Sequence, residues 1–297
     1  MARTRRLTQL LDDAGSRTSL PPGPVVVAMS GGADSAALAV IAEHLEVEFG
    51  LVHVNHGLAA SPAMGEAARD VAAVLDKPLE VLSVQVGTGP SLEEHARDAR
   101  YAALSSIDGP VLTAHTRDDN AETMLINLLR GTGVAGLRGI PAFRAPNVHR
   151  PLLDVSRSET REIATLAGLP FRDDPMNDDL TLTRNRIRRT LLPLMAEFNP
   201  QVVEALARAS AVTDADAALL DESTPTLSGT IVPIGLLATL PKPLGDRLLG
   251  RLLEAHGIGQ TADRLGRIWL VVDGSSDRQD LAGGRAVVRR GAVLAIE

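Results

Sequence analysis

The sequence predicts an α/β fold, a parallel sheet covered by helices and carrying a phosphate site, followed by a small, mostly helical C-terminal domain. Three observations predict it. Between residues 25 and 131, short apolar runs alternate with helix-length segments at least four times, the pattern of successive β-α units. Three of the apolar runs end in polar clusters, SGGADS (30–35), HVNHG (53–57) and AHTRDD (114–119), and ligands of parallel sheets bind at the carboxyl ends of the strands. Beyond residue 131 the alternation gives way to a Gly/Pro/Arg-rich stretch and then to helical segments.

Each element follows from its residues. VVVAMS (25–30) is apolar on both faces and reads as a strand buried in a parallel sheet. SAALAVIAEHLE (35–46) reads as a helix, FGLVHVNHG (49–57) as the second strand, and SPAMGEAARDVAAVLD (61–76) as a helix with Pro62 in its first turn. LEVLSVQV (79–86) is a third strand. SLEEHARDARYAALSSI (91–107) is a helix that Ser91 and Glu94 open with a capping box. PVLTAH (110–115) is a fourth strand and DDNAETMLINLLRG (118–131) the helix after it. GTGVAGLRGIPAFRAP (131–146) reads as loop. SRSETREIATLAG (156–168) is a helix with a second capping box, Ser156 with Glu159. An acidic loop then leads into the arginine-dense helix of TLTRNRIRRTLLPLM, and a further helix runs from about residue 200. STPTLSGT (223–230) reads as a linker, and residues 231–297 as helices with a closing hairpin in LAGGRAVVRRGAVLAIE. The expected division is a catalytic domain over residues 1–215, with an Arg-rich helical extension over about 132–215, and an accessory domain over 225–297.

Composition narrows the function. Apolar residues make up 44% of the 297, enough for a sizeable core. There is no cysteine, which excludes a disulfide scaffold, thiolate metal sites and a cysteine nucleophile. No apolar run approaches the roughly 18–20 residues that span a bilayer, and the basic start MARTRR leads into LTQLLDDAGS rather than a signal-peptide core. A cytoplasmic protein with no membrane partner is expected. The net charge is −7, yet residues 95–190 hold 14 Arg against 12 acids. Of the 30 basic side chains 28 are Arg, the better bidentate phosphate ligand, although a GC-rich genome gives the same skew.

SGGADS is neither a Walker A loop, which needs a Lys, nor G-x-G-x-x-G. Gly31 and Gly32 allow a tight turn that brings backbone N–H groups to an anion, the helix behind adds its N-terminal dipole, and Ser30 and Ser35 add hydroxyls. Asp34 would repel a bare phosphate and is suited to meet one through a divalent cation. The competing reading is a plain Gly-Gly turn with Asp34 as helix cap.

S-G-G-x-D-S after an apolar strand resembles the PP-loop of the N-type ATP pyrophosphatases, whose Rossmann-like, adenine nucleotide alpha hydrolase-like domain cleaves ATP between the α and β phosphates. LVHVNHGL (51–58), SLEEHARDARYAAL (91–104), TAHTRDDNAETMLINLLRGTGVAGLRGI (113–140), RPLLDVSR (150–157) and LPFRDDPMNDDLTLTRNRIRRTLLPLM (169–195) are together similar to the tRNA(Ile)-lysidine synthetase family within that superfamily. The resemblance spans most of residues 25–200 and thins beyond about 215. It implies an AMP-forming ligase that takes ATP, Mg2+, free lysine and an isoleucine tRNA with a CAU anticodon. The wobble cytidine is adenylated at O2, lysine attacks C2, and lysidine, AMP and pyrophosphate result. A homodimer is an assembly the reading admits.

Site roles follow. Ser30, Gly31, Gly32, Ala33, Asp34 and Ser35 would hold the nucleotide phosphates, with His53 and Asn55 lining the nucleotide pocket. His53 and His56 have no third ligand in view for a metal. Asp34, Arg97, His115 and Asp119 are the expected catalytic residues: Asp119 matches the family's pattern four residues after His115, and Arg97, three residues before Arg100 on one helix face, would neutralise phosphate charge. Asp34 and Asp118 are the candidate metal ligands, Asp118 having a helix cap as its alternative. Arg184, Arg186, Arg188 and Arg189 would contact tRNA phosphates, extended by Arg130, Arg138 and Arg150, unless they form a solvated face paired with Asp173, Asp174, Asp178 and Asp179. Two other classes compete: a small-molecule synthetase of the same superfamily, which would need an ammonia source, and a nucleotide-binding module without catalysis.

Overall fold

A computed structural model describes residues 2–57, 61–86, 92–131, 134–227 and 230–297. In chain order the first elements are α1 (Ala2–Ser16), β1 (Val25–Ala28), α2 (Ala33–His44), β2 (Phe49–Asn55), α3 (Ser61–Val74), β3 (Leu79–Ser83), α4 (Leu92–Ser105), β4 (Val111–Leu112), α5 (Arg117–Leu129), α6 (Val134–Leu137), β5 (Phe143–Arg144), β6 (Val148–His149), α7 (Arg157–Ala167), α8 (Thr183–Arg186), α9 (Leu192–Phe198) and α10 (Val202–Ser223). The chain divides into two compact units, residues 1–131 with 136–210, and residues 132–135 with 211–297.

The sheet of the first unit has the order β3-β2-β1-β4-β6-β5, parallel except for the edge strand β5. From β1 the chain winds outward to β2 and β3, then returns to place β4 on β1's other side. The C-terminal ends of β1 and β4 therefore flank the point where the winding reverses, which is where such sheets open a ligand crevice. The apolar run of β1 and the alanine-rich α2 pack into one core with α7, where Val27, Ala36, Leu38, Ile41, Leu152 and Ile163 are fully buried. Small residues on α2 let α7 approach it closely, and this is what carries α7's side chains to the phosphate loop.

The expected strands and helices are present with shifted ends. The β4 ladder covers only Val111 and Leu112 of 110–115; Thr113 N still bonds His149 O, and the chain then leaves the sheet, with Thr113, Ala114 and His115 lining the crevice. The stretch expected as loop, 131–146, contains the short helix α6 and the strand β5, which pairs with β6 just beyond it; both are too short for periodicity to reveal. Ser156 caps α7 in the expected capping box with Glu159. Ser91 lies outside the described residues, and so does its expected box with Glu94. The arginine-dense segment is not one α-helix: a π-helical turn, Ile187–Leu191, separates α8 from α9.

The second unit continues with β7 (Ile231–Pro233), α11 (Ile234–Thr239), α12 (Lys242–Ala255), α13 (Ala262–Val272), β8 (Arg278–Asp280), β9 (Ala286–Arg290) and β10 (Val293–Ile296). The closing hairpin is present as β9–β10, and it is the centre of an antiparallel sheet of order β7-β10-β9-β8. Its own core is built on Leu248, Leu249, Leu253, Ile268, Val271, Val287 and Leu294. Among the described residues no helix is long and apolar enough to cross a membrane.

Candidate functional site

The phosphate loop is rigid by construction. At Gly31 φ is +89°, and a Cβ there would lie 2.3 Å from the Met64 carbonyl oxygen on α3. Any side chain is thus both strained and blocked. Gly32 caps α2 with extended backbone and supplies no side chain to its first N–H groups, leaving them for an anion. The serines lock the turn: Ser35 Oγ accepts from Ser30 N at 3.1 Å, donates to Gly32 O at 2.9 Å and lies 3.0 Å from Ser30 Oγ.

Asp34, in the first turn of α2, faces α7. Thr160 Oγ1 donates to Asp34 Oδ1, and Arg157 Nε lies 4.0 Å from Oδ2. Burial pushes the Asp34 carboxyl up to about 6, and the neighbouring Asp119 and Asp118 add to the rise against Thr160 and Arg157. This carboxylate therefore lacks a sufficient cationic partner.

Thr116 caps α5 and forms a capping box with Asp119, whose Oδ2 accepts from Thr116 N and Oγ1, each at 2.9 Å. Asp119 Oδ1 accepts from Arg157 Nη2 at 2.7 Å and Arg188 Nη2 at 3.4 Å. Glu122, one turn on and fully buried, accepts from Arg157 Nη1 at 3.0 Å and from Arg188 Nε at 2.7 Å, with Arg184 Nε at 3.8 Å. Burial alone would raise Asp119; Arg157, the Thr116 backbone hydrogen bond and Arg184 reverse it and hold the carboxyl low and ionised. Burial also opposes the charge of Arg157, but Asp119, Glu122 and Asp34 raise its pKa. His115 is pulled far down, first by burial and then by Arg150, Arg100 and Arg97, so its imidazole is neutral at pH 7. Its Nδ1 lies 3.1 Å from Thr113 Oγ1.

Thr113, His115, Asp119 and Arg157 line one cleft of about 870 Å3 with Ser30, Gly32, Ala33, Asp34, Ser35, His53, His56, Arg97, Arg100, Arg184, Arg188 and Arg189, a volume in the range of ligand pockets, roughly 300–1,000 Å3. His53 Nδ1 is 2.8 Å from Met29 O and so carries the proton, while its Nε2 is buried without a hydrogen-bond partner among the described residues. Burial lowers the pKa of both His53 and His56. Arg97 and Arg100 stand over the Tyr101 ring at 5.1 and 5.6 Å. Among the described residues no three His, Cys, Asp or Glu are grouped to hold a metal by themselves.

The expected residues do not all share the cleft. Asn55 lies outside its lining and accepts from Gly57 N at 2.9 Å, bracing the turn after β2. Asp118 does not cap α5, since Thr116 does; its Oδ2 accepts from Arg157 N at 2.8 Å. The arginine segment is divided: Arg184 and Arg188 turn in to Glu122, Arg189 pairs with Asp178 at the surface, and Arg186 is exposed. Arg150 does not extend a basic surface. It is 3% exposed and donates to Pro141 O at 2.5 Å and to Tyr101 Oη at 3.1 Å, because β6 carries it inward beside α4.

Sequence reading passed over Arg157, Thr160 and Glu122. Arg157 closes the quoted RPLLDVSR motif, and Glu122 follows Asp119 at the i+3 spacing that puts two carboxylates on one helix face. Nothing local marks Thr160, which meets Asp34 across 126 residues of chain.

A PP-loop domain family matches residues 2–195. The tRNA(Ile)-lysidine synthase of Salinispora tropica is 41% identical, with 93% of this chain and 91% of that protein covered. The tRNA(Ile)-lysidine synthase of Mycobacterium bovis is 38% identical over 91% of this chain and 90% of its own. That of Rhodococcus erythropolis is 44% identical over 82% and 78%. A solved structure of a U34-tRNA thiolase from Methanococcus maripaludis shares the fold at a TM-score of 0.55 and 16% identity, over 70% of this chain and 80% of that one.

Proposed function

The chain belongs to the tRNA(Ile)-lysidine synthase family, and from that premise and the geometry of the cleft we propose how it joins lysine to the wobble cytidine of isoleucine tRNA at the cost of ATP. One observation carries the assignment of roles. A single cleft sets an anion cradle, formed by the loop amides with Arg97 and Arg100, beside the ionised carboxylate of Asp119 backed by Glu122. The first suits a nucleotide's phosphates and the second an ammonium group.

The phosphates lie over Ser30, Gly31, Gly32, Ala33, Asp34 and Ser35, with the nucleoside toward His53, which lines the cleft where Asn55 does not. Asp34 fits Mg2+: its raised pKa reports a carboxylate short of positive charge, and Mg2+ commonly takes one or two carboxylates with substrate phosphates and water. Asp118 is the second candidate ligand. Bound there, Mg2+ supplies charge neutralisation on the phosphates. Cytidine O2 attacks the α phosphorus, the bond to the β phosphate breaks, and pyrophosphate leaves under Arg97. The lysine side-chain amine then attacks C2, and the C2–O bond to AMP breaks.

Asp119 seats the lysine ammonium, which must lose a proton before it attacks. With Thr113 donating to His149 O, the His115 Nδ1–H donates to Thr113 and Nε2 is left as an acceptor. Because His115 is neutral at pH 7, that acceptor is available. Arg186 and Arg189 are both exposed and meet tRNA phosphates, Arg189 from the cleft lining itself, while Arg184 and Arg188 are held at the cleft by Glu122. Residues 1–215 are the catalytic part and 225–297 an accessory tRNA-binding part.

ATP–pyrophosphate exchange with and without tRNA, followed by incorporation of labelled lysine, tests the reading. Exchange that needs tRNA, and lysine found only in CAU-anticodon isoleucine tRNA, is expected. AMP formation without tRNA, or lysine transferred to another acceptor, sinks it.

A further inference from the structure

The β5–β6 hairpin carries a group that the reaction as described does not use. Phe143 is 48% exposed in a chain with only four Phe, one Tyr and one Trp. It pairs across the hairpin with His149, and their rings tilt at 54° with centroids 4.9 Å apart. Beside it, the exposed Arg144 holds its guanidinium 4.0 Å from the centre of the Tyr101 ring. Arg97, Arg100 and Arg150 surround the same ring at 5.1 to 5.6 Å. No carboxylate forms an ion pair with any of these four among the described residues. Burial lowers the pKa of Arg100, and Arg97, Arg184 and Arg150 lower it further. Four like charges gathered on one ring call for an anion.

The hairpin is physically continuous with the cleft. His149 O accepts from Thr113 N at 2.9 Å, and Thr113 lines the cleft next to His115. Arg97 and Arg100, on the other side of Tyr101, line it as well. An exposed aromatic face and an uncompensated guanidinium thus stand together one strand from the reacting centre. Single-stranded RNA is gripped in this way, a base stacked on an aromatic ring and the adjoining phosphate on arginine.

We propose that the β5–β6 hairpin is a nucleotide platform, on which Phe143, buttressed by His149, stacks an unpaired base of the RNA substrate next to the one being modified, while Arg144 bonds its phosphate. The proposal rests on the assignment of tRNA as substrate. Tyr101 positions Arg144 and does not itself touch the base.

The test uses the full chain and an anticodon stem-loop RNA with the CAU sequence. Phe143→Ala should weaken RNA binding roughly 5- to 100-fold, the loss typical of a removed base stack, and raise KM for tRNA while leaving KM for ATP and lysine unchanged. Phe143→Trp should restore binding, and its fluorescence should be quenched by the RNA. Phe143→Leu, apolar but unable to stack, should not restore it. Arg144→Gln should lower the slope of log affinity against log salt by about one. Equal binding by Phe143→Ala and the parent, or by Phe143→Leu and Phe143→Trp, overturns the platform while leaving tRNA as substrate. If the parent binds no stem-loop and lysidinylates no tRNA, both readings fall.

Discussion

At the scale of single residues, Asp34 and Gly31 are the most constrained positions. Asp34 has a folded pKa of about 6, above its ordinary value of 3.8, so the folded chain binds more protons than the unfolded one between those values. Stability of the unliganded protein therefore falls as pH rises from about 4 to 6, and stays lowered above it. Asp34→Asn keeps an acceptor for Thr160 and removes the charge. It should raise stability at pH 7 by about 1–3 kcal/mol, the upper figure being the full shift at ~1.4 kcal/mol per unit and the lower allowing for a carboxylate 29% exposed. At pH 4 the gain should vanish. The same variant should form no AMP. Thermal unfolding at the two pH values checks the first claim, and equal melting temperatures at pH 7 would contradict it. Gly31→Ala combines a left-handed backbone with a 2.3 Å approach to Met64 O. It should cost at least ~2 kcal/mol and reduce ATP binding, measured by denaturant unfolding and nucleotide titration.

At the scale of elements, α5, α7 and the π-helical turn form one polar joint. Glu122 of α5 is fully buried and takes Arg157 from α7, Arg184 from α8 and Arg188 from the turn. Removing one partner of a buried pair leaves the others uncompensated. Glu122→Ala should therefore lose about 3–5 kcal/mol, or roughly 6–20 °C in Tm for a unit of this size. A Tm within about 2 °C of the parent would show that the arginines find water instead. The sequence made α7 and its capping box legible, because Ser156 and Glu159 act within four residues. It did not make the π turn legible. That turn carries one extra residue per hydrogen-bonded ring and has no compositional mark, so a uniform helix was the natural reading of TRNRIRR. The shift in phase helps send Arg188 inward and Arg189 out. Arg150 was misread for a related reason: a buried arginine satisfied by Tyr101 and Pro141 looks, in sequence, like any surface arginine.

At the scale of the whole molecule, a net charge of −7 must coexist with an RNA substrate. Long-range attraction cannot supply the affinity, so local arginines must. Arg186→Ala with Arg189→Ala should weaken tRNA binding across sequences and lower its salt slope by about one to two. The smaller value applies if Asp178 keeps Arg189 from phosphate. Filter binding over a salt series reads it, and an unchanged slope removes this segment from the RNA contact. The sequence by itself determined the β-α alternation, the phosphate loop and the family, because each is written in contiguous residues: the apolar period, the glycines, the ordered motifs. Tertiary structure decided what those residues do to one another. Asp34 is raised because the fold buries it near Asp119 and Asp118, Asp119 is held down by an arginine 38 residues away, and Glu122 meets Arg188 across 66. Charge and burial act through space, and no spacing along the chain encodes a distance across a cleft.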